Sequence, residues 1–164
     1  MTITDPIVIA PFVPGQEEGV IALILPIQQT EFGIPITAAE QPDLRDIPQF
    51  YQRDAGNFWV ALADDQVIGT VALLDIGNGQ TALRKMFVHP AYRGSRGVAS
   101  QLLHTLFDWA RAHGVREIYL GTTAKYLAAH RFYEKNGFSE LRKDELPPAF
   151  PVMQVDTKFY RKAV

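Results

Sequence analysis

The amino-acid sequence predicts an α/β fold, a mixed, largely antiparallel twisted sheet flanked by helices in the order β α α β β β α β α β β. Three observations predict it. Three β-branched and aromatic runs, Phe58 to Ala63, Val67 to Asp75 and Thr81 to Val88, follow one another across the short turns Asp64-Asp65-Gln66 and Gly77-Asn78-Gly79, the pattern of an antiparallel meander. A helical stripe (Val98, Leu102, Leu103, Leu106, Ala110) then separates the third run from a fourth, Val115 to Gly121, so those two strands should lie parallel with a right-handed crossover. Finally, 164 residues with 47% hydrophobic content suit one domain over 1–164 that buries a core without disulfides or metals.

Each element has its own signal. Ile7 to Phe12 reads as the first strand, ended by Pro14-Gly15. From about Glu17, Val20, Leu23, Ile24 and Ile27 fall at i, i+3, i+4 and i+7, one face of a helix. Pro26 inside that pattern should kink the helix or tighten its last turns, because proline has no N–H for the ladder. The stretch from Thr30 to Ile36 is irregular, and a second short helix is expected over Asp43 to Gln52 with Leu44, Ile47 and Tyr51 inward. After the meander, the helix of about Gly97 to His113 stops at Gly114, a residue suited to the position just past a helix end. A further helix is expected from about Ala124 to Asn136, ended by Gly137, and the last two strands over Phe138 to Leu141 and Gln154 to Arg161.

Composition excludes several classes of function. A net charge of -2 and a pI near 6.1 argue against a general nucleic-acid binder, whose footprint is a strongly basic face. With no cysteine there is no disulfide framework, no thiolate-held metal and no acyl-cysteine intermediate. The four histidines, at 89, 104, 113 and 130, show no metal-ligand spacing. With no apolar leader or membrane-length run, a soluble cytoplasmic protein with no membrane partner is expected.

Two stretches carry chemistry. The first runs from Lys85 to Ala99: an apolar strand ends at His89-Pro90, an Arg- and Gly-rich loop follows, and a helix begins at once. The first turn of a helix presents N–H groups without intrahelical partners, and the peptide dipoles add partial positive charge, so phosphate oxygens suit it. Gly94 and Gly97 can take positive φ, and Arg93 and Arg96 can make bidentate contacts with a diphosphate. Alternatively, this is a solvated basic turn. The second stretch is Thr122 to Phe138, in which Tyr126 and Tyr133 stand two helical turns apart with the small Ala129 between them. Their alternative role is as core residues with hydroxyls at the rim.

On these residues the chain resembles the GNAT superfamily of N-acetyltransferases. Val88-His89-Pro90, Tyr92-Arg93-Gly94 and Gly97-Val98-Ala99 match the family's Val-x-Pro strand end and its Arg/Gln-x-x-Gly-x-Gly/Ala loop, and Phe132 to Phe138 reproduces its Phe-Tyr-Glu-Lys-x-Gly-Phe helix end. The loop departs by one residue, since Gly94, Ser95 and Arg96 separate Arg93 from Gly97. The likeness is strong over Lys85 to Leu106 and Ala124 to Phe138 and weak before residue 55.

The resemblance implies acetyl-CoA as cosubstrate, its pantetheine arm pairing with Met86, Phe87 and Val88 where the fourth and fifth strands splay. It implies a diphosphate on Arg93, Gly94, Ser95, Arg96, Gly97, Val98 and Ala99, with Tyr126 and Ala129 alongside. It also implies Tyr133 as the general acid for departing CoA, and direct attack by a primary amine in a ternary complex. A backbone N–H near Phe87 or Val88 would polarise the thioester carbonyl. Many family members carry a glutamate base early on the fourth strand, where this chain has Ala82. Glu31 is a candidate base, His89 another, and a water chain a third. The acceptor is open: a small amine, an amino acid, an antibiotic, a polyamine or a protein N-terminus, with Glu31, Glu40, Asp43 and Asp46 hinting at a cationic one. The apolar final strand is a candidate for pairing across a homodimer. Rival readings are a non-catalytic acetyl-CoA sensor, a dinucleotide-binding enzyme (which lacks its Gly-x-Gly-x-x-Gly here) and a scaffold.

Overall fold

The computed structural model of the chain describes residues 6–94, 97–124 and 126–164. Seven strands form one sheet: β1 (Ile7–Pro11), β2 (Asn57–Ala63), β3 (Gln66–Gly77), β4 (Gln80–Val88), β5 (Glu117–Thr122), β6 (Ser139–Leu141) and β7 (Lys158–Ala163). Their order across the sheet is β1-β2-β3-β4-β5-β7-β6. The expected meander is present, since β1 through β4 pair antiparallel with their neighbours in sequence. The expected parallel step also occurs, between β4 and β5, but only over Gln80–Ala82 against Glu117–Tyr119. β7 then pairs antiparallel with β5 on one side and with β6 on the other.

Helices cover both faces. On one, α1 (Glu17–Pro26), the turn at Pro42–Arg45 and α2 (Ile47–Phe50) close over β2 and β3, burying Val20, Ile24, Leu44 and Ile47 against Phe58 and Ala72. On the other, α3 (Val98–Ala112) lays Leu102, Leu103 and Leu106 against Trp59, Val71 and Leu73, and α4 (Leu127–Lys135) adds Tyr133. The continuous apolar run of β2 follows from this: Phe58 and Val60 face one layer while Trp59 and Ala61 face the other. Both α3 and α4 end in the glycine motif the sequence suggests. Val115 N–H reaches Ala110 O at 3.0 Å beyond Gly114, and Phe138 N–H reaches Tyr133 O at 3.0 Å beyond Gly137.

Four expectations are corrected. Past Pro26 the chain neither kinks sharply nor tightens but widens: Ile27–Glu31 form a π turn in which Phe32 N–H reaches Ile27 O at 3.1 Å. The helix expected over Asp43 to Gln52 is two short pieces, a 3₁₀ turn at Pro42–Arg45 and α2, because Pro48 and the non-helical Asp46 interrupt it; Leu44, Ile47 and Tyr51 are fully buried as expected. α4 starts three residues later than Ala124, with Tyr126 as its N-cap. The last strand is Lys158–Ala163, displaced from Gln154 to Arg161, and it lies inside the sheet with partners on both sides. On its outer side β6 covers it from Phe159 to Arg161. No helix among the described residues is long and apolar enough to cross a membrane.

Candidate active site

The site begins with a break in the sheet. Past Ala82 and Tyr119 the pairing of β4 with β5 ends, and at the same place β4 bulges: Thr70 of β3 opposes Phe87 and Ala72 opposes Arg84, so Val71 alone faces both Lys85 and Met86. Lys85 takes a φ of 56°, a left-handed conformation that a lysine adopts only when its surroundings hold it. Three contacts hold it. Thr70 Oγ1 donates to Lys85 O at 2.7 Å, and the Lys85 ammonium, buried from solvent, donates to Gln41 Oε1 at 2.6 Å and lies 3.5 Å from Asp43 Oδ2. Asp43 in turn accepts the Tyr51 hydroxyl at 2.5 Å. Burial lowers the pKa of Lys85 to about 8, against the pull of Asp43.

The bulge turns the end of β4 away from β5. His89 N–H donates to Ile68 O at 2.8 Å, so the backbone groups of Val88, one residue earlier, point away from β3 into the break. Val88 O is taken there by Arg93 Nε at 2.9 Å, and Val88 N–H points the same way.

A cleft of about 490 Å³ opens at this break, walled by the end of β4 (Met86, Phe87, Val88), the π turn (Ile27, Glu31, Phe32) and α4 (Tyr126, Ala129, Phe132, Tyr133), with Arg93 and Ala99 at its loop end. α4 presents Tyr126, Ala129 and Tyr133 on one side, as their spacing requires. Tyr133 is fixed by the end of its own helix: its carbonyl accepts Phe138 N–H, and its ring meets Phe138 edge-on at 5.6 Å. Here the Tyr-x-x-x-Gly-Phe spacing is a helix-ending motif that anchors a cleft side chain. Burial pushes the Tyr133 phenol well above its ordinary value, with the neighbouring Tyr126 adding to the effect. Tyr126, stacked edge-on at 4.4 Å from Phe32, is pushed up to about 12 by burial and by the charges of Glu31 and Asp156.

The loop residues divide. Arg93 is committed twice within the chain, through Nε to Val88 O and through both terminal nitrogens to Glu31, at 2.6 and 2.8 Å. This bidentate pair lowers the pKa of Glu31. Gly94 and Gly97 both have positive φ, 88° and 65°, and Gly97 N–H closes a turn on Gly94 O at 3.1 Å. Gly97 is thus the N-cap of α3, and its amide is already used. The Val98 side chain lies in the core, packed toward Gly69, where an added Cβ would stand 3.3 Å from it. What remains directed outward at α3 is the N–H fringe of its first turn, Val98 and Ala99 included. Ser95 and Arg96 lie outside the described residues. His89 accepts Ala91 N–H on Nδ1 at 3.1 Å, capping the short turn at Pro90–Tyr92. The acidic group expected to meet a cationic acceptor is internally engaged: Glu31 by Arg93, Asp43 by Lys85 and Tyr51, and Glu40 by Thr37 Oγ1 and N–H. Asp46 is exposed.

Sequence reasoning passed over Thr70, Arg84, Lys85 and Asp156. The visible signal was the pair Arg84-Lys85, two cations inside an otherwise apolar strand. Among the described residues no group of three or more His, Asp or Glu side chains is arranged to hold a metal.

Known proteins share this architecture. The family model described as Acetyltransferase (GNAT) family matches residues 22–138. A crystal structure of an acetyltransferase of GNAT family from Staphylococcus aureus MU50 superimposes with a TM-score of 0.93 at 36% identity, covering 96% of this chain and 99% of that one. An N-acetyltransferase from Thermoplasma acidophilum, solved in complex with coenzyme A, has the same fold, with a TM-score of 0.74 at 19% identity over 97% of this chain and 99% of that one. N-acetylaspartate synthetase of Xenopus tropicalis is 37% identical over 110 residues, 65% of this chain and 40% of that protein. The chain thus spans about two fifths of the length of the curated relatives it matches.

Proposed function

The chain belongs to the GNAT acetyltransferase family, and from that premise we propose that it transfers an acetyl group from acetyl-CoA to a primary amine by direct attack within a ternary complex. The observation that carries this reading is the cleft at the β4/β5 break, with Val88 N–H pointing into the break and Tyr133 lining the opposite wall. An extended pantetheine arm adds to the open side of β4 as a partial strand, the diphosphate meets the first-turn amides of α3, and Val88 N–H donates to the thioester oxygen as negative charge develops there.

Tyr133 supplies the proton for the departing thiolate. Its raised pKa keeps the phenol protonated throughout the physiological range. A thiolate released into the same low-dielectric cleft also gains proton affinity, which narrows the gap between donor and acceptor. Glu31 has the opposite character, since Arg93 holds it ionised and occupied; as a proton acceptor it is weak, and we assign it to holding Arg93 beside Val88.

Thermal unfolding in the presence of acetyl-CoA, CoA, NAD and ATP tests the cofactor. A ligand at about a hundred times its dissociation constant adds roughly 2.7 kcal/mol to the native state, so acetyl-CoA and CoA should raise the midpoint while NAD and ATP leave it in place. Free-thiol release over an amine panel then tests turnover. Tyr133→Phe should keep the acetyl-CoA shift and lose about a hundredfold or more in kcat, the usual contribution of a positioned acid. A shift with no turnover on any amine would favour an acetyl-CoA sensor instead, and no shift with either CoA species would refute the reading.

A further inference from the structure

Ala82 and Tyr119 are the last residues paired between β4 and β5, and Arg84 and Gly121 stand two residues further along each strand. The two-residue period of a strand puts them on the face of Ala82 and Tyr119, which pack together with Phe159. Arg84 thus borders the mouth of the break from β4. Its guanidinium carbon lies 5.7 Å from the centre of the Phe50 ring and 5.8 Å from that of Tyr51, and one terminal nitrogen contacts Met153 Sδ at 3.6 Å. Asp156, from the segment before β7, borders the mouth from β5. Its Oδ2 accepts Met153 N–H at 2.9 Å and lies 2.5 Å from where a Cβ on Gly121 would stand, so only glycine at 121 leaves it this place.

Arg84 and Asp156 therefore converge on Met153, one on its sulfur and the other on its amide. Among the described residues neither forms an ion pair within 4.0 Å, whereas Lys85 and Arg93 nearby are matched by Asp43 and Glu31. They carry opposite charges on the two sides of the gap where β4 and β5 part, on one face of the sheet. Resting on the acetyl-transfer reading above, we propose that this gap is the acceptor subsite and that the acceptor is a small amine carrying a carboxylate, its carboxylate on Arg84 and its amine beside Asp156.

The chemistry of both groups fits. A guanidinium backed by aromatic faces presents a planar fork of donors that matches a carboxylate bidentately. Asp156 is half-buried, and burial raises its proton affinity, as proton uptake from an ammonium requires. Its charge is also felt by Tyr126, which lines the cleft. The acceptor ammonium gives one proton to Asp156, which releases it to solvent. The neutral nitrogen then attacks the thioester carbon, the N–C bond forms, and the C–S bond breaks with its electron pair on sulfur. Tyr133 protonates that sulfur and recovers the second proton from nitrogen.

The test compares free-thiol release for amino acids with that for their decarboxylated amines, using the full chain, its Arg84→Gln and Arg84→Lys variants, and Asp156→Asn. Each protein is first checked for its acetyl-CoA thermal shift, which reports folding and cofactor binding independently of the acceptor. The expected result is turnover of carboxylate-bearing amines, with their KM raised about tenfold or more in Arg84→Gln, a loss that converts to about 1.4 kcal/mol. Arg84→Lys should recover part of it, the KM for acetyl-CoA should stay unchanged, and Asp156→Asn should lose kcat. Preference for the decarboxylated amines would overturn the proposal while leaving acetyl transfer standing. So would an unchanged acceptor KM in Arg84→Gln, or no turnover of any carboxylate-bearing amine by protein that binds acetyl-CoA. Absence of the acetyl-CoA shift in the unsubstituted chain would overturn both readings.

Discussion

Lys85 places its ammonium where only 8% of the side chain is exposed, between Gln41 and Asp43, and that placement makes stability depend on alkaline pH. Its pKa is about 8 in the folded chain and near 10.5 when solvated. Between those values the unfolded chain binds the proton and the folded chain does not, so stability rises with pH through that window. Below it both states are protonated and the burial cost is carried in full. The slope for such a group approaches about 1.4 kcal/mol per pH unit. Denaturant unfolding should therefore show the chain gaining about 1 to 2 kcal/mol between pH 8 and 9.5, and Lys85→Met should abolish that gain. A variant that keeps the rise would assign it to another group. The same substitution should lower overall stability, because it leaves the buried Asp43 carboxylate with the Tyr51 hydroxyl but without its cation.

At the scale of the element, β4 is one apolar run in sequence and two segments in space, joined by the bulge at Lys85 and Met86. Residue content and the flanking turns found the strand, in which Leu83 and Val88 face one core layer although five residues separate them. They missed the bulge because an inserted residue leaves no mark in composition; the trace was a lysine in a position that needs positive φ. The clamp is Thr70, fully buried, whose hydroxyl holds Lys85 O from across the strand pair. Thr70→Val keeps the shape and removes the bond, leaving a carbonyl unsatisfied at the point where β4 leaves β5. We expect a loss of about 1 to 3 kcal/mol, read from the denaturant midpoint, together with a raised KM for acetyl-CoA. Equal destabilisation with an unchanged KM would mean that the bulge persists without its clamp. α4 is the contrary case: Gly137 announced the helix end, because that signal is local, while the anchoring of Tyr133 by Phe138 is seen in the structure. The Arg93 loop lies between the two. Its strand, loop and helix order was legible, but Arg93's bidentate hold on Glu31, 62 residues away, was not, since nothing local encodes a partner across the fold.

Across the whole molecule the sheet is two pieces, β1 to β4 and β5-β7-β6, whose strands pair with each other at only three positions, Gln80–Ala82 against Glu117–Tyr119. The core of Leu83, Ile118, Leu120 and Tyr160 holds the pieces together, and the cleft opens where β4 and β5 part. The sequence announced the parallel step, because a helix separates two strand patterns, but not how short it is. Strand length is visible in residue pattern; the point at which two strands part is a tertiary fact, as are the bulge in β4 and the placing of Asp156 over Gly121 just beyond it. A ligand that enters the break touches both pieces, and its effect on local opening should map to the seam. Hydrogen exchange with and without saturating acetyl-CoA should show added protection at the end of β4, in the first turn of α3 and along α4, while β1 and β2 change little. Those outer strands are already paired and lie away from the cleft. Protection spread evenly over all seven strands would mean that the ligand stabilises the fold only globally, and the seam would then have no mechanical part in binding. Protection confined to the first turn of α3 would mean that the diphosphate alone is held and that the pantetheine arm does not use the open side of β4.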